Sequence, residues 1–420
     1  MRSLAQDPFH RKLWALTLLG FAVRVAAIFV LNDYRNPLTA EYGIVAQNLV
    51  AGKGFVGGGW LGPEGPTALN TPIYPLFLAL WLWIGQPLPY LWAEIAQSVL
   101  SALVIYIVGK IAYVLSDRQI SIITGIFLVF YPPLIYFCKQ ISPAIFTTFF
   151  TALSFYLIIL FWRNPTWKMA IISGLAFGVS ILAEPVLLLA IPGTIFILGL
   201  TIYRDIRRDA LRKLFLSALV CVLVLLPWTV RNYLVFDRIV VLKTSFGLNL
   251  WLGNNPNATG FLYTATGEPM QNTLPAGMRD YLATLNEAER YAVLGQEAWH
   301  WIRTHPVPFL RLTARRLVYL WWISPTYQVT TQNIVEPRFF YIARALIQIP
   351  LLVFGVLGYL LAFSKNRLLF WSNLWWPVAF TIPYAISVAG NTRYRLPVEP
   401  VLILMSAFAI WTLVGKFRKA

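Results

Sequence analysis

The sequence predicts an all-α membrane protein whose helices cross the bilayer about ten times. Three observations carry that expectation. Hydrophobic residues make up 58% of the 420-residue chain against 12% charged, at a mean hydropathy of +0.64. Apolar runs near spanning length recur from one end of the chain to the other, and basic residues fall in short clusters between them. A soluble fold could not hide so much apolar surface, so one membrane body is expected rather than a string of soluble domains. The net charge of +17 would fit nucleic acid if it formed a stripe; broken into clusters at span ends, it reads as orientation signals and headgroup contacts. The lipid bilayer is therefore an expected partner and nucleic acid is not. Cys138 lies at the end of one apolar run and Cys221 within another, where thiols pack as small apolar groups, so no disulfide or metal site is inferred from them.

Spanning runs start near Leu13, Tyr90, Gln119, Pro143, Met169, Pro185, Leu214, Phe340, Leu368 and Pro397, each with roughly the 17–25 residues a bilayer demands. The first follows Arg11 and Lys12 without a small-residue cleavage site, so it reads as a retained span. Clusters at 204–213, Arg163 with Lys168, Lys365 with Arg367, and 416–419 mark the cytoplasmic side. An even number of spans puts both termini inside and leaves segments 32–89, 236–338 and 391–395 and the Lys139 turn outside. Three units follow: residues 1–235 with seven spans and the first outer loop at 32–89, an outer-face region at 236–339, and a three-span unit at 340–420. Multi-pass residence in a plasma (inner) membrane is expected, with the site on the extracytoplasmic face.

The first outer loop is too long and too rich in sequence to be a simple connector. Thr39 is a candidate N-cap, with Glu41 in the first turn of a helix that Gly52 and Gly54 end near Ala51. Tyr42, Val45, Ala46 and Leu49 form its apolar stripe, leaving Glu41 on another face. The helix dipole keeps such a carboxylate ionised, which suits a general base, although a first-turn acid also stabilises its own helix. Segment 247–275 is dense in Gly, Asn, Pro and Thr and reads as irregular. Asn286 with Glu287 and Glu289 opens a more polar helix running to Thr304. Segment 306–323 is apolar but holds Arg311, Arg315 and Arg316, and counting it as a span would reverse everything downstream. It is read as an interfacial helix among Trp299, Trp301, Tyr319, Trp321 and Trp322.

Arg393 and Arg395 stand on the outer side, against the usual bias of basic residues toward the cytoplasm. Their planar forks suit a lipid phosphate, with headgroup anchoring as the alternative. Lys139 and Arg231 could add positive charge to the same site. Glu94 and Glu184 are the other acids near membrane depth, functional candidates unless paired with a nearby Lys or Arg. His10, His300 and His305 have no carboxylate or cysteine at ligand spacing, so no metal is expected. Asn257-Ala258-Thr259 matches an acceptor sequon. No internal repeat is visible, which argues against a transporter built from related halves.

Taken in order, several segments resemble the GT-C superfamily of polytopic glycosyltransferases, in the family 39 branch of protein O-mannosyltransferases and aminoarabinose transferases. The likeness rests on Glu41-Tyr42, Ala46, Leu49 and Gly52-Lys53-Gly54-Phe55, on Pro72-Ile73-Tyr74-Pro75, and on Pro227-Trp228-Thr229-Val230-Arg231-Asn232-Tyr233. It continues through Gly253-Asn254-Asn255-Pro256 and Arg393-Tyr394-Arg395-Leu396-Pro397. Such a family implies a sugar carried on a polyprenyl phosphate and an inverting single displacement onto the hydroxyl of a lipid, glycan or protein acceptor. By that resemblance Glu41 is the base; the leading reading then sets Arg393 and Arg395, helped by Lys139 and Arg231, around the donor phosphate and takes Tyr42, Asn70, Tyr74, Glu94, Asn254, Asn255 and Tyr394 as the cavity lining. Many relatives carry an Asp-Glu pair in the first loop and a further acid at the second outer turn. Here Ala40 precedes Glu41, and Lys139-Gln140 occupy the turn. No cofactor is therefore expected, and Asp33 is held as a reserve base. A lipid-linked sugar translocator or a noncatalytic membrane scaffold are the rival readings, and neither would need Glu41.

Overall fold

The computed structural model describes residues 7–31, 34–58, 61–202, 208–322, 338–388 and 392–417. After α1 (Pro8–Leu31), the first outer loop holds α2 (Ala40–Val50), a two-stranded hairpin of β1 (Val56–Gly57) and β2 (Gly65–Pro66), and α3 (Ile73–Ile84). Next come α4 (Pro89–Leu115), α5 (Arg118–Val129), α6 (Pro132–Cys138), α7 (Ala144–Arg163), α8 (Trp167–Ala183), α9 (Leu187–Ile202) and α10 (Arg208–Phe236). The outer-face region contributes α11 (Ser245–Gly253), α12 (Ala276–Thr284), α13 (Glu287–Thr304) and α14 (Pro306–Trp321). The chain closes with α15 (Arg338–Lys365), α16 (Arg367–Ile386), the short α17 (Thr392–Arg395) and α18 (Glu399–Phe417).

All ten apolar runs are helical, as an all-α polytopic membrane protein requires. Six described helices are long and apolar enough to cross a membrane by themselves, and the bent pair α5–α6 makes a seventh. The count of ten is reached only by including α8, α9 and α16. Glu184-Pro185 ends α8 at 17 residues, and α9 has 16, so each falls short alone. They lie against α10 and α16 respectively. The second half of the first outer loop, for which no helix was expected, folds as α3, an apolar helix of 12 residues.

The α5–α6 bend of 50° follows from Pro132 and Pro133, which cannot continue the α5 hydrogen-bond ladder. The break strands carbonyls where no water can reach them. Arg24, fully buried on α1, satisfies them: Nη2 donates to Leu128 O at 3.1 Å and Nη1 to Val129 O at 3.3 Å. The same fork donates to Gly20 O at 2.9 Å and, through Nε, to Ser101 Oγ at 2.7 Å. Gly20 lets α1 approach Ile105 and the Arg24 guanidinium closely, and a side chain there would make the end of Ile105 shift.

The outer-face region has a core of its own, in which Leu250, Trp251, Tyr291 and Leu294 bring α11 and α13 together. Asn286 opens α13 with a complete capping box: it accepts from Glu289 N at 3.0 Å, and Glu289 accepts from Asn286 N at 3.3 Å. Thr39 holds the cap position of α2, but its side chain makes no capping bond, contrary to expectation. Gly52 and Gly54 do end that helix, with φ of +74° and +81° that only glycine adopts without strain. Segment 306–323 folds as α14 through Trp321, and Ile323 lies outside the described residues. The helix turns Leu312, Arg316 and Leu320 inward and leaves Val307, Leu310, Leu317 and Val318 exposed.

Because Arg24 is what satisfies the broken ladder, Arg24→Met should destabilise the protein by about 1–3 kcal/mol for each carbonyl left bare. Thermal unfolding of the detergent-solubilised variant checks this, and an unchanged midpoint would show that the bend holds without it.

Candidate active site

One cavity of about 350 Å³ gathers side chains from four parts of the chain. The first outer loop supplies Glu41 and Tyr42 from α2, then Asn70, Thr71 and Tyr74. Pro143, Ala183, Glu184 and Pro185 come from the ends of α7, α8 and α9. Lys243, Ser245, Leu248 and Asn249 come from the turn before α11 and from α11 itself. Tyr384, Arg393 and Tyr394 close the remaining side.

Glu41 and Arg393 thus share a single space. Arg393 Nη2 donates to Tyr42 Oη at 2.6 Å, and its guanidinium stands 5.4 Å from the centre of the Tyr42 ring and 5.5 Å from that of Tyr394. Two aromatic faces and one hydrogen bond fix the plane of the fork. Tyr384 packs on Tyr394 at 4.6 Å, and Tyr74 meets Tyr42 edge-on at 5.3 Å while donating to Gln97 Oε1 at 2.9 Å. Burial raises the Tyr42 phenol above its ordinary pKa despite the pull of Arg393, so it stays protonated. Ala40, just before Glu41, holds a left-handed backbone with φ of +46°, a conformation that costs an L-residue roughly 1–2 kcal/mol. That kink turns the chain into α2 and sets the direction from which Glu41 projects.

Glu184 faces the same cavity. Its carboxylate accepts from Thr147 Oγ1 and Val186 N, both at a long 3.4 Å. Among the described residues, no group of three or more His, Cys, Asp or Glu stands together as a metal site would require.

No family model and no curated protein matches the sequence. Solved structures do match the fold. The Archaeoglobus fulgidus oligosaccharyltransferase in its apo form superposes over 99% of this chain and 51% of its own, with TM-score 0.56 and 15% identity. The archaeal oligosaccharyltransferase AglB from Archaeoglobus fulgidus, in complex with an inhibitory peptide and a dolichol-phosphate, gives TM-score 0.55 over the same shares at 15% identity. ArnT from Cupriavidus metallidurans bound to undecaprenyl phosphate covers 95% of this chain and 78% of its own at 13% identity, but its TM-score of 0.45 is too low to carry an argument. The chain shares the fold of an oligosaccharyltransferase. It spans about half the length of that enzyme.

Within this oligosaccharyltransferase-like fold, Glu41, Tyr42, Asn70, Tyr74, Arg393 and Tyr394 converge as the sequence suggested. The other expected site residues do not line the cavity. Arg395 is buried, donating through Nε to Glu399 Oε1 at 2.6 Å and through Nη1 to Leu320 O at 3.0 Å. Arg231 donates to Thr67 O at 2.8 Å and Phe55 O at 3.0 Å, and so braces the first loop. Lys139 caps α6 with its ammonium over the Tyr136 ring, and Glu94 is wholly buried in α4. Asn254 donates to Leu250 O and Ile386 O and accepts from Arg316 Nη2, while Asn255 donates to Trp251 O. Both asparagines tie down the end of α11. Asp33, the reserve base, lies outside the described residues. Tyr384 and Lys243 are cavity residues that the sequence reading missed. The only signal for Lys243 was a lone cation in an apolar turn.

Breaking a buried ion pair by removing one partner typically costs about 3–5 kcal/mol. Arg395→Met should therefore lower thermal stability by that order, whereas Arg393→Met, at the cavity wall, should lower it far less. Equal losses would mean that Arg393 is a structural residue too.

Proposed function

We propose that this multi-pass protein is a glycosyltransferase of the family 39 kind. It would move one sugar from a polyprenyl-phosphate donor to an acceptor hydroxyl at the extracytoplasmic face of a plasma (inner) membrane. The observation that carries this reading is the convergence of Glu41 and Arg393 on one cavity, with Tyr42 between them. Support also comes from the shared fold with an archaeal oligosaccharyltransferase whose structure contains a dolichol-phosphate.

In this reaction the acceptor oxygen attacks the anomeric carbon from the side opposite the phosphate, so configuration inverts. The bond from the anomeric carbon to the phosphate oxygen breaks, and its electron pair stays on that oxygen. Glu41 takes the acceptor proton. The phosphodiester, with one negative charge, leaves as a phosphomonoester that can carry two. Arg393 donates to the phosphate oxygens as that charge develops. Its stacked plane is organised before substrate arrives, so little reorganisation is needed during the reaction. The proton and the charge are both accounted for by side chains, and the mechanism uses no metal ion.

Glu41→Gln keeps the size of the side chain but cannot accept the proton. Turnover, measured as polyprenyl phosphate released by purified protein from a panel of polyprenyl-phosphate sugars, should drop about 10²- to 10⁴-fold. Donor binding should stay near normal. Retained turnover in Glu41→Gln, with loss in Asp33→Asn, would move the base to Asp33; indifference to both changes would remove the proposed chemistry. In the same assay, a chelator should leave wild-type turnover unchanged, and its abolition would show that a divalent ion takes part.

A further inference from the structure

Lys243 stands in the cavity wall on the turn between α10 and α11. Its backbone is pinned on both sides. Leu242 O accepts from Trp228 Nε1 at 2.6 Å, Thr244 N donates to Ala68 O at 2.9 Å, and Thr244 Oγ1 donates to Glu287 Oε1 at 2.6 Å. The Lys243 side chain is half-buried, and among the described residues none gives it a hydrogen bond or ion pair. Lys243 shares the cavity with the Glu41 and Glu184 carboxylates but is hydrogen-bonded to neither, which leaves its ammonium available to an anion that enters. Arg24, Arg231, Arg316 and Arg395, also half-buried or buried, are by contrast tied to carbonyls or a carboxylate. Lys243 is not.

Charge arithmetic points to its role, given the glycosyl-transfer reading above. The donor phosphodiester brings one negative charge, and cleavage leaves a second on the phosphate while Glu41 is neutralised by the acceptor proton. Negative charge thus moves from the Glu41 carboxylate to the leaving group. Lys243 and Arg393 are the two cations among the described cavity-lining residues. The geometry points to Lys243 as a leaving-group residue: Arg393 engages the phosphate in the bound donor, and Lys243 pairs with the charge that appears as the bond breaks. An interaction that strengthens only as charge develops raises turnover more than it tightens substrate binding. Lys243→Met should accordingly lower kcat while leaving KM for the donor within a few-fold.

The test uses the full-length protein in lipid nanodiscs and polyprenyl monophosphate, the expected product, as the probe. Free phosphomonoesters lose their second proton near a pKa of about 6, so Kd is measured at about pH 8 and at about pH 5.5. Lys243→Met should weaken binding about ten- to hundredfold at the higher pH, as expected for a charge-assisted hydrogen bond, and much less at the lower. Lys243→Arg should stay within a few-fold of wild type at both. Wild-type affinity in Lys243→Met, or a loss of equal size at both pH values, overturns the assignment. If Lys243→Met does not fold, Lys243→Gln takes its place against Lys243→Arg with the same criteria. Arg393→Met separates the two levels: if it weakens binding while Lys243→Met does not, only the role of Lys243 falls. If both variants bind as wild type, the phosphate site itself falls.

Discussion

The cavity depends on the carboxylate of Glu287 more than on any of the residues that line it. From the first turn of α13, Glu287 accepts from Thr67 Oγ1 at 2.6 Å, Ala68 N at 2.8 Å and Thr244 Oγ1 at 2.6 Å. Those donors belong to the exit of the first-loop hairpin and to the turn before α11, segments far apart in sequence. Charge-assisted bonds of this kind are the stronger ones, and the position at a helix N-terminus favours the negative charge. With Thr67–Ala68 clasped, Asn70, Thr71 and Tyr74 are delivered to one wall of the cavity. With Thr244 clasped, Lys243 and Ser245 are delivered to another. Arg231 completes the arrangement from α10 by donating to Thr67 O and Phe55 O.

A second regularity explains where much of the positive charge goes. Arg24 serves carbonyls at the broken end of α5, and Arg290 serves Leu282 O and Leu285 O at the end of α12. Arg316 donates to Gly253 O and Asn254 Oδ1 at the end of α11 and to Ala385 O near the end of α16, and Arg395 reaches Leu320 O near the end of α14. Helix ends leave carbonyls without intrahelical partners, and where those carbonyls are buried a side-chain donor must serve them. The guanidinium fork, always charged and able to donate in several directions, is suited to that task. The same property makes arginine a good phosphate ligand. Structural and ligand-binding arginines therefore look alike until their surroundings are known, and Arg393 is set apart by its place at the cavity, between two tyrosine rings.

Glu41 illustrates how backbone and site are joined. It sits in the first turn of a short helix whose buried side, Tyr42, Val45 and Ala46, packs against α3. The helix is therefore held by its apolar face, and its acid is left at the cavity. Ala40 enters that helix in a left-handed conformation, so strain adjoins a candidate catalytic group, as is common where a scaffold over-determines a site.

What the sequence determined by itself is what local chemistry controls. The apolar runs fixed the all-α polytopic class, because lipid accepts only a backbone that satisfies its own hydrogen bonds. Asn286 with Glu289 marked the start of α13, and Gly52 with Gly54 the end of α2, because capping needs only neighbours in sequence. The apolar stripe of α2 was legible from its helical period, and with it the side from which Glu41 projects. The tertiary structure alone decided which cations meet the cavity. Arg395 carried the same sequence signal as Arg393, and Arg231 and Lys139 a weaker one, yet the two arginines were drawn to carbonyls or a carboxylate and the lysine to an aromatic ring. The partners of Arg231 lie on the first outer loop, whereas Tyr136 and Glu399 stand close in sequence to Lys139 and Arg395. Lys243 carried almost no signal, because what sets it apart is the lack of a partner among the described residues, a property of the assembled walls and of no residue pattern along the chain.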